Sequence, residues 1–374
     1  MTPRRIVAAL AVLAVVITAA ILPLLNLSIP GILPGATYTP GTLQLLAFAM
    51  LISALALSYH LLFGVASELS FGHALFFAAG AYGLGVLLNR LRLSWLPPGL
   101  VFTAAIVLTV ILGVVLAFAV GAVSLRVSGI SFAMVTLAFA QAGSIVVARN
   151  PGGLTGGSEG LSLSTQNVPA VFFGVLNTKY LYWMSLAVLV VVYLAVLVVE
   201  KSRAGHTARA VGQNPLRAEV LGVRAYAVRL TIFVSASVLA VVCGIAFSLL
   251  QSGATPTITS SDFTLSLLVI VVLGGVGYRW GAIVGGIVYT LLDQRLTAFA
   301  SSSFVAELPP VLRVPLSEPQ FILGTLFIVV VIFLPGGIAG FAQRQRARGH
   351  TRAGSNADAG SIAGVGTYPE QERS

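Results

Sequence analysis

Ten apolar runs, separated by short polar breaks, constrain the fold of this chain more than any other feature. Each is close to the roughly 17 to 25 residues that a helix needs to cross a bilayer. They occupy residues 6–25, 41–63, 72–88, 99–124, 129–148, 180–199, 230–251, 263–277, 281–299 and 319–334. Hydrophobic residues make up 57% of the chain and charged residues 9%, unlike a soluble globular protein. The sequence therefore predicts an all-α polytopic membrane protein with about ten transmembrane helices.

The first run is interpreted as a retained span rather than a signal peptide. Arg4 and Arg5 precede it, as in a signal peptide, but it lacks a clear small-x-small cleavage site. The net charge of +10 does not indicate nucleic-acid binding, because the cations lie at the ends of apolar runs without interleaved aromatic residues. Cys243 is the single cysteine, so the chain forms no internal disulfide, and a lone thiol is a poor metal site.

Charge distribution predicts the orientation of the chain. With a cytoplasmic N-terminus and alternating spans, 15 of the 21 Lys and Arg residues fall on the inside. This favours cytoplasmic N- and C-termini, an exoplasmic loop at 150–179 and a cytoplasmic segment at 200–229. Five spans before that loop and five after it predict two inverted halves. Residues 1–342 then form the transmembrane domain, and 343–374 form a cytoplasmic tail whose composition predicts disorder.

The segment 200–229 is the strongest candidate for a working surface. Its cations are Lys201, Arg203, Arg209, Arg217, Arg224 and Arg229. Within it, Asn214 is a suitable helix N-cap, Pro215 suits the first helical position, and Gly222 suits a left-handed C-terminal residue. A helix this short is marginal alone, so it must rest on the membrane surface, on the rest of the chain or on a partner protein.

A polar stretch from Ser67 to His73 interrupts the apolar runs before α-helical periodicity resumes. It predicts either a broken entrance to a span that lines a pathway or an ordinary cytoplasmic turn. His60, in the run before it, is interpreted as a hydrogen-bonded helix contact rather than a ligand. Farther along, Gln141 is expected to face the bundle interior.

Glycine-rich stretches carry two further expectations. Residues 152–160 expose many backbone N–H groups, which predicts either a cradle for carboxylates or phosphates or a flexible linker. Gly281 and Gly285 form a small-x-x-x-small pair, which predicts close helix packing.

Missing motifs narrow the mechanism. The sequence has no Walker motif, no H-E-x-x-H and no G-x-S-x-G. The ionisable residues expected near membrane depth are few. They are His60, Glu68, His73, Asp262 and Asp293. Ion-driven pumps need paired intramembrane carboxylates, of which this chain offers few. We expect its driving energy to come from outside the chain.

Several sequence blocks together resemble one family. They are 59–64 with 72–74 and 80–82, then 125–130 with 136–140, 155–157 with 160–161, 202–205 with 209–210, 218 with 221–222, 273–277 with 280–281, and 333–337. In this order they resemble the LivM-type permease subunits of bacterial ABC importers for branched-chain amino acids. Ser67, Glu68 and Gly336 depart from the family's usual pattern, which bears on the substrate more than on the fold.

The resemblance implies a transporter subunit of the bacterial inner membrane that is not an enzyme. Its partners would be a second related permease, two cytoplasmic ATP-binding subunits that hold ATP and Mg, and an exoplasmic solute-binding protein; no cofactor is expected in this chain. The expected contacts to the ATPase are Arg203, Gly205, Arg209, Asn214, Pro215, Arg217, Ala218, Leu221 and Gly222. In that scheme Ala218, Val220 and Leu221 supply apolar contact, and Arg209 and Arg217 a polar rim. Substrate-pathway candidates are Glu68, Ser70, Gly72, His73, Tyr82, Gln141, Thr155, Gly156 and Gly157.

Two alternatives stay open at this point. Relatives in the same family import urea, short amides or other amino acids, so leucine, isoleucine and valine are the default substrates only. A self-contained, ion-coupled transporter using Glu68, His73 and Asp293 is the rival mechanism. A membrane enzyme would need clustered catalytic groups, which the sequence lacks.

Overall fold

The protein is almost entirely helical in the computed structural model, which describes residues 3–27, 34–90, 97–164, 166–174, 177–301, 310–333 and 336–341. The helices are α1 (Pro3–Ile21), α2 (Pro40–His60), α3 (His73–Arg90), α4 (Pro98–Ser124), α5 (Ile130–Arg149), α6 (Thr178–Lys201), α7 (Arg203–Gln213), α8 (Pro215–Val220), α9 (Ala225–Leu250), α10 (Ser261–Gly274), α11 (Arg279–Ala300), α12 (Pro310–Ser317) and α13 (Pro319–Phe333). Two short strands, β1 (Leu161–Ser162) and β2 (Gly253–Ala254), pair antiparallel. The predicted tail, 343–374, lies outside the described residues.

Each predicted apolar run coincides with a helix over most of its length. Among the described residues, five helical segments are long and apolar enough to cross a membrane: Pro40–Val65, Pro98–Ser124, Ile130–Arg149, Thr178–Lys201 and Ala225–Leu250. Shorter apolar helices include Ser261–Gly274 and Pro319–Val329. The closely spaced eighth and ninth runs form separate helices, α10 and α11. The predicted all-α polytopic membrane fold is confirmed.

Helix α2 forms the centre of the bundle, and α4 lies at its edge. Every residue from Ala49 to Leu62 is buried, as expected for a helix that is apolar on all sides. In α4, by contrast, exposed apolar side chains recur every three or four residues, at Val107, Ile111, Val115 and Phe118. Such a stripe suits a surface that faces lipid.

The two halves of the chain make corresponding contacts between helices. Helix α2 lies against α10 and α11, and α9 lies against α3 and α4. The two sets of contacts match if α2, α3 and α4 are equivalent to α9, α10 and α11, respectively. An inverted repeat is one arrangement that gives these contacts, and the two inverted halves stay a prediction.

Helices α3 and α9 touch backbone to backbone. A Cβ atom on Gly80 would lie 2.1 Å from the carbonyl oxygen of Val241, and one on Gly244 would lie 1.9 Å from that of Phe77. Because neither glycine has a side chain, the backbones of the two helices can touch. Helices α10 and α11 meet in the same way, since a Cβ on Gly281 would lie 2.4 Å from the Gly274 oxygen. The predicted close packing at Gly281 and Gly285 is confirmed.

The bundle has two distinct ends. Helix α6 begins beside the loop that carries β1 and ends where α7 begins. We call the end of the bundle that carries α7 and α8 the α8 end. The opposite end, which carries the two strands, is called the β1 end.

Candidate coupling site

Helices α7 and α8 form a capped, folded segment at the α8 end. The Ser202 hydroxyl accepts a hydrogen bond from the Gly205 N–H (3.2 Å), and the Asn214 Oδ1 accepts one from the Arg217 N–H (3.0 Å). Pro215 occupies the first turn of α8, and Gly222 has φ +81° just after it. The predicted caps at both ends of α8 are confirmed. The sequence interpretation missed α7. The signal for this helix was Ser202, a suitable N-cap residue.

Helix α7 starts in close contact with the end of α6. A Cβ atom on Gly205 would lie 2.3 Å from the Val199 carbonyl oxygen and 2.7 Å from that of Glu200. Only glycine permits this reversal of the chain. Arg203, the first residue of α7, is exposed.

One face of α8 is anchored to the bundle. Ala218 is buried with Val211 and Ala225 in a small apolar cluster that Val223 covers. The expectation that Ala218 contacts a partner is therefore wrong, because its methyl group is only 5% exposed and holds α8 to α7 and α9. Anchoring explains how a six-residue helix persists.

The other face of α8 exposes large apolar side chains. Leu216, Val220 and Leu221 are 74%, 88% and 83% exposed. The cations Arg217 and Arg224 lie exposed beside them. This face is the α8 patch. It retains the expected Val220 and Leu221 and adds Leu216, which the sequence interpretation left out.

A buried carboxylate connects the segment to the bundle. The Glu200 side chain, 7% exposed, lies 2.9 Å from the His60 Nε2, 3.0 Å from the Arg209 Nη2 and 3.2 Å from the Arg279 Nε. Because these groups belong to α6, α2, α7 and α11, one side chain joins four helices. The expected helix contact of His60 is confirmed. The Arg209 guanidinium contacts Glu200 while its side chain stays 43% exposed, so its expected place in a polar rim stays a prediction.

A second ion pair ties the α2–α3 loop to the start of α9. The Glu68 carboxylate and the Arg229 Nε are 3.0 Å apart, with side-chain exposures of 7% and 16%. Burial raises the pKa of the Glu68 carboxyl, and the Arg229 guanidinium opposes that rise. Glu68 thus contacts α9, the helix that follows α8 in the chain.

The α2–α3 loop is buried non-helical chain. Helix α2 ends in a π-helical turn, Leu61–Val65. Beyond it, the Tyr59 hydroxyl donates to the Ser70 carbonyl (3.0 Å), and the Phe71 N–H donates to the Thr136 Oγ1 (3.1 Å). The His73 Nε2 lies 2.9 Å from the Ser58 hydroxyl. Protein therefore surrounds most of the predicted break, with Ser67 exposed, which satisfies the condition for irregular backbone within a helical bundle.

The predicted pathway residues do not form one site. Ser70, Gly72 and His73 are buried near the α8 end, whereas Tyr82 is buried farther along α3. The Gln141 amide donates to the Ser261 hydroxyl and joins α5 to α10. Thr155, Gly156 and Gly157 lie at the β1 end.

The glycine-rich loop binds its own side chain. The Asn150 Oδ1 accepts hydrogen bonds from the N–H groups of Thr155 (2.8 Å) and Gly156 (3.0 Å). Gly156 has φ +74°, and a Cβ there would lie 1.9 Å from the Gly160 oxygen. The cradle interpretation is wrong for these two N–H groups, because Asn150 already occupies them. The loop also has a defined fold, unlike a flexible linker.

The residues of the rival ion-coupled mechanism are far apart. Asp293 lines a groove with Gln44, in the first turns of α2, whereas Glu68 and His73 follow its last turn. A helix rises about 1.5 Å per residue, so α2 separates them by roughly 25 Å. Within the described parts of the chain, no group of three His, Cys, Asp or Glu residues is placed to hold a metal ion.

The fold and this geometry define a helical, multi-span membrane protein that presents one anchored, capped segment at a single end. Residues 41–334 match the family model described as branched-chain amino acid transport system / permease component. The chain therefore belongs to this family of permease components, and the resemblance inferred from the sequence is confirmed.

Three curated relatives carry the same description. The high-affinity branched-chain amino acid transport system permease protein LivM of Escherichia coli is 23% identical over 320 residues, covering 80% of this chain and 70% of that protein. The Salmonella typhimurium protein of the same name is 24% identical, with the same coverage. The probable branched-chain amino acid transport permease protein LivM of Methanocaldococcus jannaschii is 24% identical over 76% of this chain and 88% of its own. No solved structure matches the chain significantly.

Proposed function

We propose that this chain is the permease subunit of an ATP-driven importer and moves leucine, isoleucine or valine into the cell by alternating access. The observation that carries the proposal is the α8 patch: three large apolar side chains exposed on a short helix that is capped and anchored on its other side. An exposed apolar patch rimmed by polar residues is typical of a protein docking site. A cytoplasmic ATPase is the partner that we propose, with a cleft that receives this short, rigid helix.

Motion at α8 has two connections into the bundle. Arg209, on α7, holds Glu200 and through it α2 and α11. Arg229, on α9, holds Glu68 in the α2–α3 loop. A partner that displaces α8 therefore acts on several spans at once. In this proposal the protein itself carries no ATPase site and performs no chemical step; it provides the path and the moving parts.

We propose the rest of the assembly by analogy with the family. A second, related permease completes a dimer with the substrate path at its interface, two cytoplasmic subunits bind ATP and Mg, and an exoplasmic solute-binding protein delivers the substrate. The α8 end and both termini then face the cytoplasm of a bacterial inner membrane. The relatives named for branched-chain amino acid transport support this substrate over urea, amides and other amino acids.

Reconstitution in liposomes tests the proposal. With its partner subunits, we expect leucine uptake that requires ATP and the solute-binding protein. The chain alone, under a proton or sodium gradient, serves as the matched control and is expected to take up nothing. Gradient-driven uptake by the chain alone would show that the ion-coupled alternative is correct.

Cysteine labelling tests the orientation. Cys243 is fully buried, so a cysteine introduced on the surface is the only thiol open to a membrane-impermeant maleimide. In intact spheroplasts we expect Ser158→Cys to react and Val220→Cys to react only after the membrane is permeabilised. Both positions are exposed, so neither substitution disturbs packing. Labelling of Val220→Cys from the outside would reverse the assignment and remove the ATPase from α8.

A further inference from the structure

A cavity with several charged side chains in its wall opens at the α8 end between α1, α6, α7, α11 and the segment 336–341. Its volume is about 730 Å³. Three cationic side chains, Lys201, Arg209 and Arg279, line it with His206, against the single carboxylate of Glu200. Arg209 and Arg279 are held by Glu200. Lys201 and His206 have no ion-pair or hydrogen-bond partner among the described side chains, so the cavity has positive charge to offer an anion.

An apolar crevice continues from this cavity into the bundle. It has a volume of about 190 Å³ and lies between α1, α2, α6 and α11. Val12, Val15 and Trp280 line both spaces, so the crevice and the cavity are contiguous. The side chains deeper inside are aliphatic, apart from Tyr193, whose ring lies 5.4 Å from that of Trp280.

The boundary between the two spaces carries residue types that are common at a membrane surface. Lys201 is the last residue of α6, and Trp280 is in the first turn of α11. Lysine at the end of a span and tryptophan beside it are typical of the level of lipid headgroups. The cavity with charged side chains, the boundary at Trp280 and the apolar crevice thus follow one another in the order of headgroup, interface and acyl chain.

We propose that this composite space binds an anionic phospholipid, with its phosphate group beside Lys201 and His206 and one acyl chain in the crevice. Basic pockets between transmembrane helices recognise anionic headgroups through charge. A neutral lipid would leave the cationic side chains unmatched, and a soluble anion would leave the crevice empty. The inference requires only that the chain spans a membrane, so it stands apart from ATPase docking.

The site adjoins the Glu200 cluster. Arg209 and Arg279 line the cavity and also contact Glu200. A bound phosphate would therefore share cations with the carboxylate that joins α7 to the spans. Lipid binding would in this way influence the connection between α8 and the bundle.

Native mass spectrometry of the full chain, titrated with phosphatidylglycerol or phosphatidylcholine of the same acyl chains, tests the headgroup. We expect phosphatidylglycerol to bind more tightly, and Lys201→Gln to weaken its binding about fivefold, the effect of one charge near a membrane surface. Lys201→Arg should restore binding. The matched control is Lys179→Gln at the opposite end of α6, which should leave binding unchanged.

A crevice variant tests the acyl chain. Val15 is 60% exposed, so Val15→Trp is tolerated while its ring fills the shared opening. Excluding about two methylene groups should weaken lipid binding on the order of tenfold. Free glycerol phosphate in excess should not displace the lipid.

Three results would overturn the proposal. In the first, the two lipids bind equally tightly. In the second, Lys201→Gln leaves the affinity for phosphatidylglycerol unchanged. In the third, glycerol phosphate displaces the lipid and Val15→Trp leaves lipid affinity unchanged. The last would show a site for a soluble anion only.

Discussion

Replacing Glu200 by glutamine is expected to lower the free energy of unfolding by about 3 kcal/mol, the lower end of the range for breaking a buried ion pair. The substitution leaves His60, Arg209 and Arg279 without the carboxylate that all three contact. The lower end applies because Arg209 and Arg279 keep side-chain exposures of 43% and 28%, so water offsets part of the loss. Thermal unfolding of the purified chain in detergent measures the change.

The same variant should also uncouple transport. Without Glu200, α7 loses its charged contact with α2 and α11, so ATP hydrolysis by the reconstituted complex should continue while leucine uptake falls. Glu159→Gln is the matched control, since Glu159 is exposed at the β1 end. It should change stability by less than about 0.5 kcal/mol. An unchanged unfolding temperature and normal uptake for Glu200→Gln would show that the cluster connects nothing.

Replacing Leu221 by aspartate is expected to abolish association with the ATPase. Central apolar residues of an interface contribute about 2 to 4 kcal/mol each, and a carboxylate there would lose its water on docking. The dissociation constant should therefore rise roughly 30- to 1000-fold. Because Leu221 is 83% exposed, the isolated chain should unfold at the same temperature as the parent. Co-purification with a tagged ATPase subunit measures the loss.

A matched substitution at the other end separates docking from a general effect. Leu154 is also an exposed leucine, but it lies in the loop at the β1 end. Leu154→Asp should co-purify with the ATPase as well as the parent does. If Leu221→Asp retains full association, the α8 patch is not the docking surface. Such a result leaves the lipid site untouched, because its residues lie in the neighbouring cavity.

The sequence predicted those features that depend on residues near one another in the chain. The apolar runs gave the helices because each run has the length and composition of a span. Asn214, Pro215 and Gly222 predicted the limits of α8 because capping acts within three or four residues. His60 was interpreted correctly as a helix contact, because a polar group buried in a span needs a partner.

Features built from distant residues were missed. Glu200 ends an apolar run beside a cationic segment, which is a signal in itself, but its partner His60 is 140 positions away. The direction of Ala218 depends on where α7 and α9 lie against α8, so the sequence placed it on the wrong face. The backbone N–H groups of Thr155 and Gly156 appeared free because no sequence pattern shows that Asn150 folds back onto them.

The glycine contacts between α3 and α9 limit how this protein can change shape. Main chains that touch at Gly80 and Gly244 have no side chains between them to rearrange, and packed interiors compress little. In the proposed transport cycle these two helices would therefore move as one rigid piece. Any hinge in that cycle would then lie among helices whose contacts are made through side chains.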